Sequence, residues 1–264
     1  MKLSIRSLCK SYNSKNHNDP EKNTIRALVD CSLEIEDHSF TVIAGRSGCG
    51  KTTLLKTIAG LEQADSGTVD FSSMDNYREN YSKDSQKELS TEPKIGFMFQ
   101  DPRLLPWLTV EQNLSLAFKR PRDNNEKTAM RQKIQRVLEM VGLADRATSM
   151  PGELSGGMAQ RCALARCLCR DPELLLLDEP LSSLDTFTRV TLREELDKLW
   201  RRLDLTVILV THDIEEAVYF GDRVFLMNEG TIQNVLPIPL PHPRDSRTAE
   251  FQEHCRKIEQ QFFK

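Results

Sequence analysis

Gly45-Arg46-Ser47-Gly48-Cys49-Gly50-Lys51-Thr52 is a complete G-x-x-x-x-G-K-T string, and its flanks decide how this chain is read. Upstream, Phe40-Thr41-Val42-Ile43-Ala44 is β-branched and apolar, the composition of a buried strand. Downstream, Lys51 to Ala59 reads as a helix stopped by Gly60. Strand, glycine loop and helix start together make a phosphate cradle. The glycines let the backbone curl so that several N–H groups face one anion, and the helix adds its positive end. Lys51 then reaches the β- and γ-phosphates, the Thr52 hydroxyl ligates Mg²⁺, and Thr53 donates to the α-phosphate. Cys49 sits among these amides beside Lys51, a setting that either activates its thiol or merely tolerates it.

A second carrier of chemistry lies downstream. Leu174-Leu175-Leu176-Leu177 is a continuous apolar strand of the kind buried in parallel sheets, and it ends in Asp178-Glu179-Pro180. Two carboxylates at the C-terminal end of such a strand stand where open α/β sheets bind ligands. Asp178 suits Mg²⁺ held through its water shell, and Glu179 suits the general base that orients or deprotonates the attacking water. A third element, Leu154-Ser155-Gly156-Gly157-Met158, opens a helix whose first N–H groups form another anion site.

The rest of the chain fits strands alternating with helices around a largely parallel sheet. Ile95 to Phe99 is a buried strand closing on Gln100. Thr109 to Gly142 turns helical with a polar break near Pro121 to Asn125, and Thr109 can cap a helix with Gln112 three residues on. The spacing predicts a helix over Ser155–Arg170 with Met158, Cys162, Ala165 and Cys169 on one stripe, and one carrying Leu192, Leu196, Leu199 and Leu203 on a face. Thr206–Thr211 reads as a strand, Ile214–Phe220 as a short helix closed by Gly221, and Val224–Met227 and Thr231–Val235 as strands around a turn. Pro237, Pro239, Pro241 and Pro243 make an extended connector before an amphipathic tail, Ser246 to Lys264. Two polar stretches, Asn13 to Asn23 and Ser72 to Glu92, read as solvated loops.

Composition narrows the classes. The net charge of -3, from 36 basic and 39 acidic residues, does not mark a nucleic-acid binder. No run approaches the ~20 apolar residues of a spanning helix, and Lys2, Arg6 and Lys10 interrupt any signal-type h-region. Seven cysteines without a disulfide framework fit a reducing cytosol. Cys162, Cys167 and Cys169 lack paired C-x-x-C spacing and read as small packing residues rather than a metal site.

The phosphate loop, then Leu154 to Gln160, then Asp178-Glu179, in this order, resembles the ATP-binding subunits of ABC transporters. The resemblance runs from about Leu3 to Gln233. It implies a P-loop NTPase fold of the ABC-ATPase type: a mainly parallel sheet flanked by helices, an N-terminal antiparallel β subdomain and an inserted helical subdomain. The ATPase domain would span 1–240 with the helical piece at about 101–165, and 241–264 would be a short helical extension. By position, Gln100 matches a glutamine that touches Mg²⁺ and the attacking water, in a loop that senses the membrane subunit. Asp185, in Ser183-Leu184-Asp185, matches the acidic member of a loop crossing the dimer interface. His212 matches the histidine on the γ-phosphate, and Tyr12 an aromatic stacked on adenine. In that family ATP is sandwiched between one subunit's phosphate loop and another's glycine turn, so a homodimer is implied. A transmembrane permease and, indirectly, an extracytoplasmic solute-binding protein are implied too, with the chain peripheral on the cytoplasmic face and no nucleic acid. Asp101 to Val110, Ala217-Val218, Asp222-Arg223-Val224 and Pro243-Arg244-Asp245 are similar to nitrate, sulfonate and taurine importers.

Two rivals are weaker. A non-transport ABC ATPase acting on nucleic acid or ribosomes needs long coiled coils or a second cassette, and the sequence has neither. A P-loop kinase uses the phosphate loop and Asp178 but leaves Leu154 to Gln160 idle.

Overall fold

In a computed structural model that describes residues 2–13, 24–72 and 93–262, the chain divides into two units. The first is Met1–Pro93 with Thr206–Lys264; the second is Lys94–Leu205. Along the chain the first elements are β1 (Lys2–Asn13), β2 (Thr24–Ile35), β3 (Phe40–Gly45), α1 (Lys51–Ile58), β4 (Ser66–Ser72) and β5 (Ile95–Met98). There follow α2 (Val110–Ser115), α3 (Asn124–Met140), α4 (Gly156–Leu168), β6 (Leu174–Asp178) and α5 (Thr186–Leu203). The last are β7 (Thr206–Thr211), α6 (Ile214–Phe220), β8 (Arg223–Asn228), β9 (Thr231–Pro237) and α7 (Ala249–Phe262). The polar stretches expected as loops lie outside the described residues except for Asn13 and Ser72, which end strands.

In the first unit β3 runs parallel to β7 on one side and β8 on the other, in register Ala44 to Thr211 and Gly45 to Met227. All six residues of β3 and of β7 are buried. A strand covered on both faces has no solvent side to alternate toward, which is why both read as unbroken apolar runs. β8 returns as β9 in an antiparallel hairpin around Asn228-Glu229-Gly230. The base of β3 is fixed by Phe40, stacked on Phe220 of α6 with ring centroids 4.9 Å apart. α7 buries Phe251, Cys255 and Ile258 on one side, at helical spacing, and packs on α6.

The same unit holds an antiparallel sheet in the order β2-β1-β4. β1 pairs with β2 through register shifts between Ile5 and Leu8, Leu8 and Lys10, and Lys10 and Ser11. Such bulges break the period of two. Leu3, Ile5 and Leu8 are all buried, yet no clean alternation marks this strand in the sequence.

The second unit has a parallel pair, β5 with β6, in register Met98 to Leu177, and four helices. Each helix opens on a side chain that caps its first amides: Thr109 in a reciprocal capping box with Gln112, Asp123, Ser155 and Asp185. The single polar break expected near Pro121 to Asn125 therefore becomes a change of helix, with Asp123 starting α3. α4 departs from the one-stripe expectation. Gly157, Gln160, Cys162 to Ala165, Cys167 and Leu168 are buried, so it is covered nearly all round. Cys162, Cys167 and Cys169 are core residues whose thiols burial pushes up to about 11, 12 and 12. Cys167 donates its S–H to the Phe97 carbonyl at 3.2 Å.

Candidate functional site

The candidate residues fall into two groups, one in each unit. In the first, β3 delivers Gly45 to a tight loop ending at Gly50, the N-cap of α1. Gly50 has φ of 108°, a conformation open to glycine, and a Cβ there would lie 2.2 Å from the Ala27 carbonyl of β2. The loop is pinned from behind: Gly230 N–H donates to the Cys49 carbonyl at 2.9 Å, and Val29 N–H donates to Gly230. Lys51 is 4% exposed, and its ammonium donates to the carbonyls of Gly45 (2.8 Å) and Arg46 (3.0 Å). A cation is thereby folded over the loop that would hold the anion. Arg46, Ser47, Gly48 and Thr52 are exposed, Thr53 is half-buried, and the Cys49 side chain is buried.

Register places a further candidate at the same edge. Thr211 pairs with Ala44, so His212 leaves β7 level with Gly45, where β3 enters the loop. His212 is exposed, between two anchored neighbours. The Thr211 hydroxyl donates to Glu216 (2.7 Å), and Asp213 caps α6 through the Glu216 amide (3.0 Å). Tyr12 stands on β1 opposite Ile25, with Lys10 Nζ 5.5 Å from its ring centre. Asp65 ties that strand down by accepting from the Ser11 amide and the Lys10 ammonium. These two bonds hold the Asp65 carboxyl below the usual carboxylate range.

The second unit brings another set together. Because Met98 and Leu177 are in register, Gln100 and the pair Asp178-Glu179 emerge from the same end of parallel strands. Asp178 is buried at the end of β6. Glu179 has φ of 44°, the left-handed region, where a residue with a Cβ is strained by about 1–2 kcal/mol. Its carbonyl accepts from the Ser182 amide (3.2 Å) and hydroxyl (2.9 Å), which fixes the turn.

Gln100 is exposed and held at both ends. Its Nε2 donates to the Ser182 hydroxyl (3.2 Å), and its carbonyl accepts from Gln160 Nε2 (3.0 Å). The bond to Ser182 uses the side-chain amide nitrogen, and Oε1 is the end of the side chain able to meet a cation. In this unit Gln100 and Asp178 offer a carboxamide and a carboxylate oxygen, and in the first unit Thr52 offers a hydroxyl; each is a hard donor of the kind Mg²⁺ takes. The loop after Gln100 is pinned by Asn113, fully buried, which bonds Leu105, Leu108 and Thr109, and by Arg166, which bonds Pro102 and Arg103. On that loop Trp107 is 68% exposed.

The glycine turn is built differently from the phosphate loop. Ser155 caps α4, accepting from the Met158 amide at 3.3 Å, and Ser155 and Gly156 are exposed. Gly157 is buried, and a Cβ there would stand 2.4 Å from the Thr188 methyl of α5. Asp185 is the N-cap of α5, accepting from Phe187 and Thr188 amides at 3.1 Å. The Thr188 hydroxyl first, then its amide, hold the Asp185 carboxyl below the usual range. Gln160 and Ser182, which grip Gln100, were not singled out as site residues from the sequence. Gln160 closes the Leu154–Gln160 string that carries the resemblance, while the only sequence signal of Ser182 is a hydroxyl four places after the end of β6.

Comparison with known proteins gives a coherent picture. A family model described as ABC transporter matches residues 28–182. The aliphatic sulfonates import ATP-binding protein SsuB of Bacillus licheniformis is 41% identical over 239 residues, 89% of this chain and 86% of that protein. The dimeric structure of MJ0796, a bacterial ABC transporter cassette, aligns at a TM-score of 0.71 and 29% identity, over 90% of this chain and 100% of that one. A post-hydrolysis structure of the same ATP-binding cassette, bound to ADP and phosphate, aligns at a TM-score of 0.70 and 29% identity over the same shares.

Proposed function

The chain belongs to the ABC transporter family, and on that premise we propose that it is the ATP-hydrolysing subunit of an importer for a small anionic solute of the aliphatic sulfonate class. The observation that carries the reading is the contrast between its two anion sites. The phosphate loop brings its own buried cation, Lys51, while the turn at Ser155 offers helix amides and a hydroxyl, with no cation in the first turn of α4. A triphosphate that engages both draws the second from another copy of the chain, so ATP acts as the bond between two cassettes.

In this reading the residues divide the work of binding and hydrolysis. The loop Gly45–Thr53 holds the phosphates, with Lys51 moving from its own carbonyls onto the β- and γ-oxygens. Thr52, Gln100 and Asp178 would hold Mg²⁺, which when bound neutralises charge on the phosphates. Glu179 takes the proton of the attacking water, Gln100 orients that water, and His212 donates to the γ-phosphate. Ser155, Gly156 and Gly157 face the γ-phosphate of the partner's nucleotide, Asp185 lies along the copy-to-copy contact, and Tyr12 stacks on adenine.

Closure on ATP and separation after hydrolysis would rock a membrane permease between its two access states. Among the described residues no helix is long and apolar enough to cross a membrane. The proposal is thus a peripheral subunit on the cytoplasmic face, with a permease engaged near exposed Trp107 and a solute-binding protein on the far side. No observation favours action on nucleic acid. Glu179→Gln is expected to retain ATP binding, lower hydrolysis by about 10²-fold or more, and abolish uptake of short alkanesulfonates by cells that depend on this subunit. Wild-type hydrolysis in that variant would refute the base, and undiminished uptake would refute the transported class.

A further inference from the structure

Pro243-Arg244-Asp245 was a resemblance without a task, and the fold gives Arg244 one. The residue lies beyond the last strand, yet its side chain is 1% exposed. Its guanidinium donates to five backbone carbonyls: Val218 (2.6 Å), Gly221 (2.8 Å), Tyr219 (3.4 Å), Ile238 (3.0 Å) and Leu240 (3.0 Å). Three of these belong to the C-terminal end of α6. A helix leaves its last carbonyls without internal partners and concentrates negative charge there, so a buried cation with a planar fork is suited to close it.

α6 has seven residues, about two turns, too short to hold its shape alone. Packing holds its buried face, with Phe220 on Phe40 and α7 alongside, and its two ends are tied down separately. The N-terminal end is locked to the His212 segment: Asp213 caps the Glu216 amide, Glu216 accepts from the Thr211 hydroxyl, and that hydroxyl accepts from the Asp213 amide (3.0 Å). Glu216 and Thr211 are 3% and 2% exposed. The C-terminal end is locked by Arg244. The helix thus joins the segment that carries exposed His212 to the buried guanidinium of Arg244.

We propose that Arg244 is a positioning residue for ATP hydrolysis, clamping α6 by its carbonyl end so that His212 at the other end stays on the γ-phosphate. The inference rests on the reading of His212 given above and adds that its placement is set by the segment after β9. ADP has no γ-phosphate, so the clamp is irrelevant to its binding.

The test uses the 264-residue chain, with kcat for ATP and affinity for ADP measured for Arg244→Gln, His212→Ala and the double variant. Arg244→Gln is expected to lower kcat by about 10- to 100-fold, the cost of misplacing a catalytic group by an ångström or so. ADP affinity should hold within about twofold, and adding Arg244→Gln to His212→Ala should cost less than about twofold more. An equal loss in both backgrounds, a parallel loss of ADP affinity, or an unchanged kcat would each overturn the clamp. If His212→Ala alone hydrolyses ATP normally, the histidine's role fails first, and the clamp with it. Should Arg244→Gln not fold, Arg244→Lys keeps the charge but loses the fork. An intermediate kcat with unchanged ADP affinity supports the proposal, and a wild-type kcat contradicts it.

Discussion

The two glycine turns at Gly45–Thr52 and Leu154–Met158 look alike as strings but answer to different forces. In the first, Gly50 is demanded by its own backbone, at φ of 108°, and by the Ala27 carbonyl pressed against it. In the second, Gly157 is demanded by a neighbour, since the Thr188 methyl occupies the place of its Cβ. The first turn contains a buried ammonium; the first turn of α4 is Gly156-Gly157-Met158-Ala159, without a cation. A cradle with its own counter-charge binds an anion alone. A helix start without a cation offers the anion only its own donors and its partial positive end. On the proposed reading, this unequal construction makes one turn a nucleotide site and the other a reader of a nucleotide already bound.

Disabling each turn separately tests this most severely. Lys51→Ala should weaken ATP and ADP binding by about 10²-fold, the worth of a charge-assisted contact to phosphate. Ser155→Arg should leave ADP affinity unchanged while hydrolysis falls by a similar factor. Equal effects of the two variants on ADP titrations would erase the distinction between the turns.

A smaller effect separates packing from phosphate contact at Gly157. Gly157→Ala should cost about 1–3 kcal/mol of stability, because its new methyl overlaps a β-branched side chain held by its bond to Asp185. Thr188→Ser removes that methyl and keeps the hydroxyl, so the double variant should recover most of the loss in a thermal melt. Failure to recover would mean that the glycine serves the backbone or the ligand instead.

The smallest expected signal is chemical. Cys162, Cys167 and Cys169 need a pH near 11 to 12 before thiolate forms, since burial disfavours the charge. Alkylation of the folded chain at pH 8 should leave all three unmodified, as read by mass of the proteolytic fragments. Rapid labelling there would show that α4 is less covered than its packing indicates.

Much of this was legible in the sequence wherever one local force dominated. Phe40 to Ala44, Leu174 to Leu177 and Thr206 to Thr211 are buried on both faces, so composition alone announced strands. Thr109 with Gln112 was read from capping chemistry that the structure repeats, and Gly221 marks the end of Ile214–Phe220 as expected, though with an extended backbone. Less legible was β1, where repeated bulges scramble the alternation. The environment of α4 was illegible too, because Cys and Ala are small enough for either a stripe or a full jacket. Glu179 was identified as a carboxylate at a strand end, but its left-handed backbone belongs to the turn fixed by Ser182. Arg244 carried no readable task, since its five acceptors lie up to 26 residues away along the chain.

Sedimentation of Glu179→Gln with ATP and Mg²⁺, beside the same chain carrying Ser155→Arg as well, tests the shared-nucleotide claim most directly. The account predicts a dimer that forms with ATP, dissolves with ADP and never forms in the doubly substituted chain. A single copy throughout, or a dimer indifferent to Ser155→Arg, would contradict it.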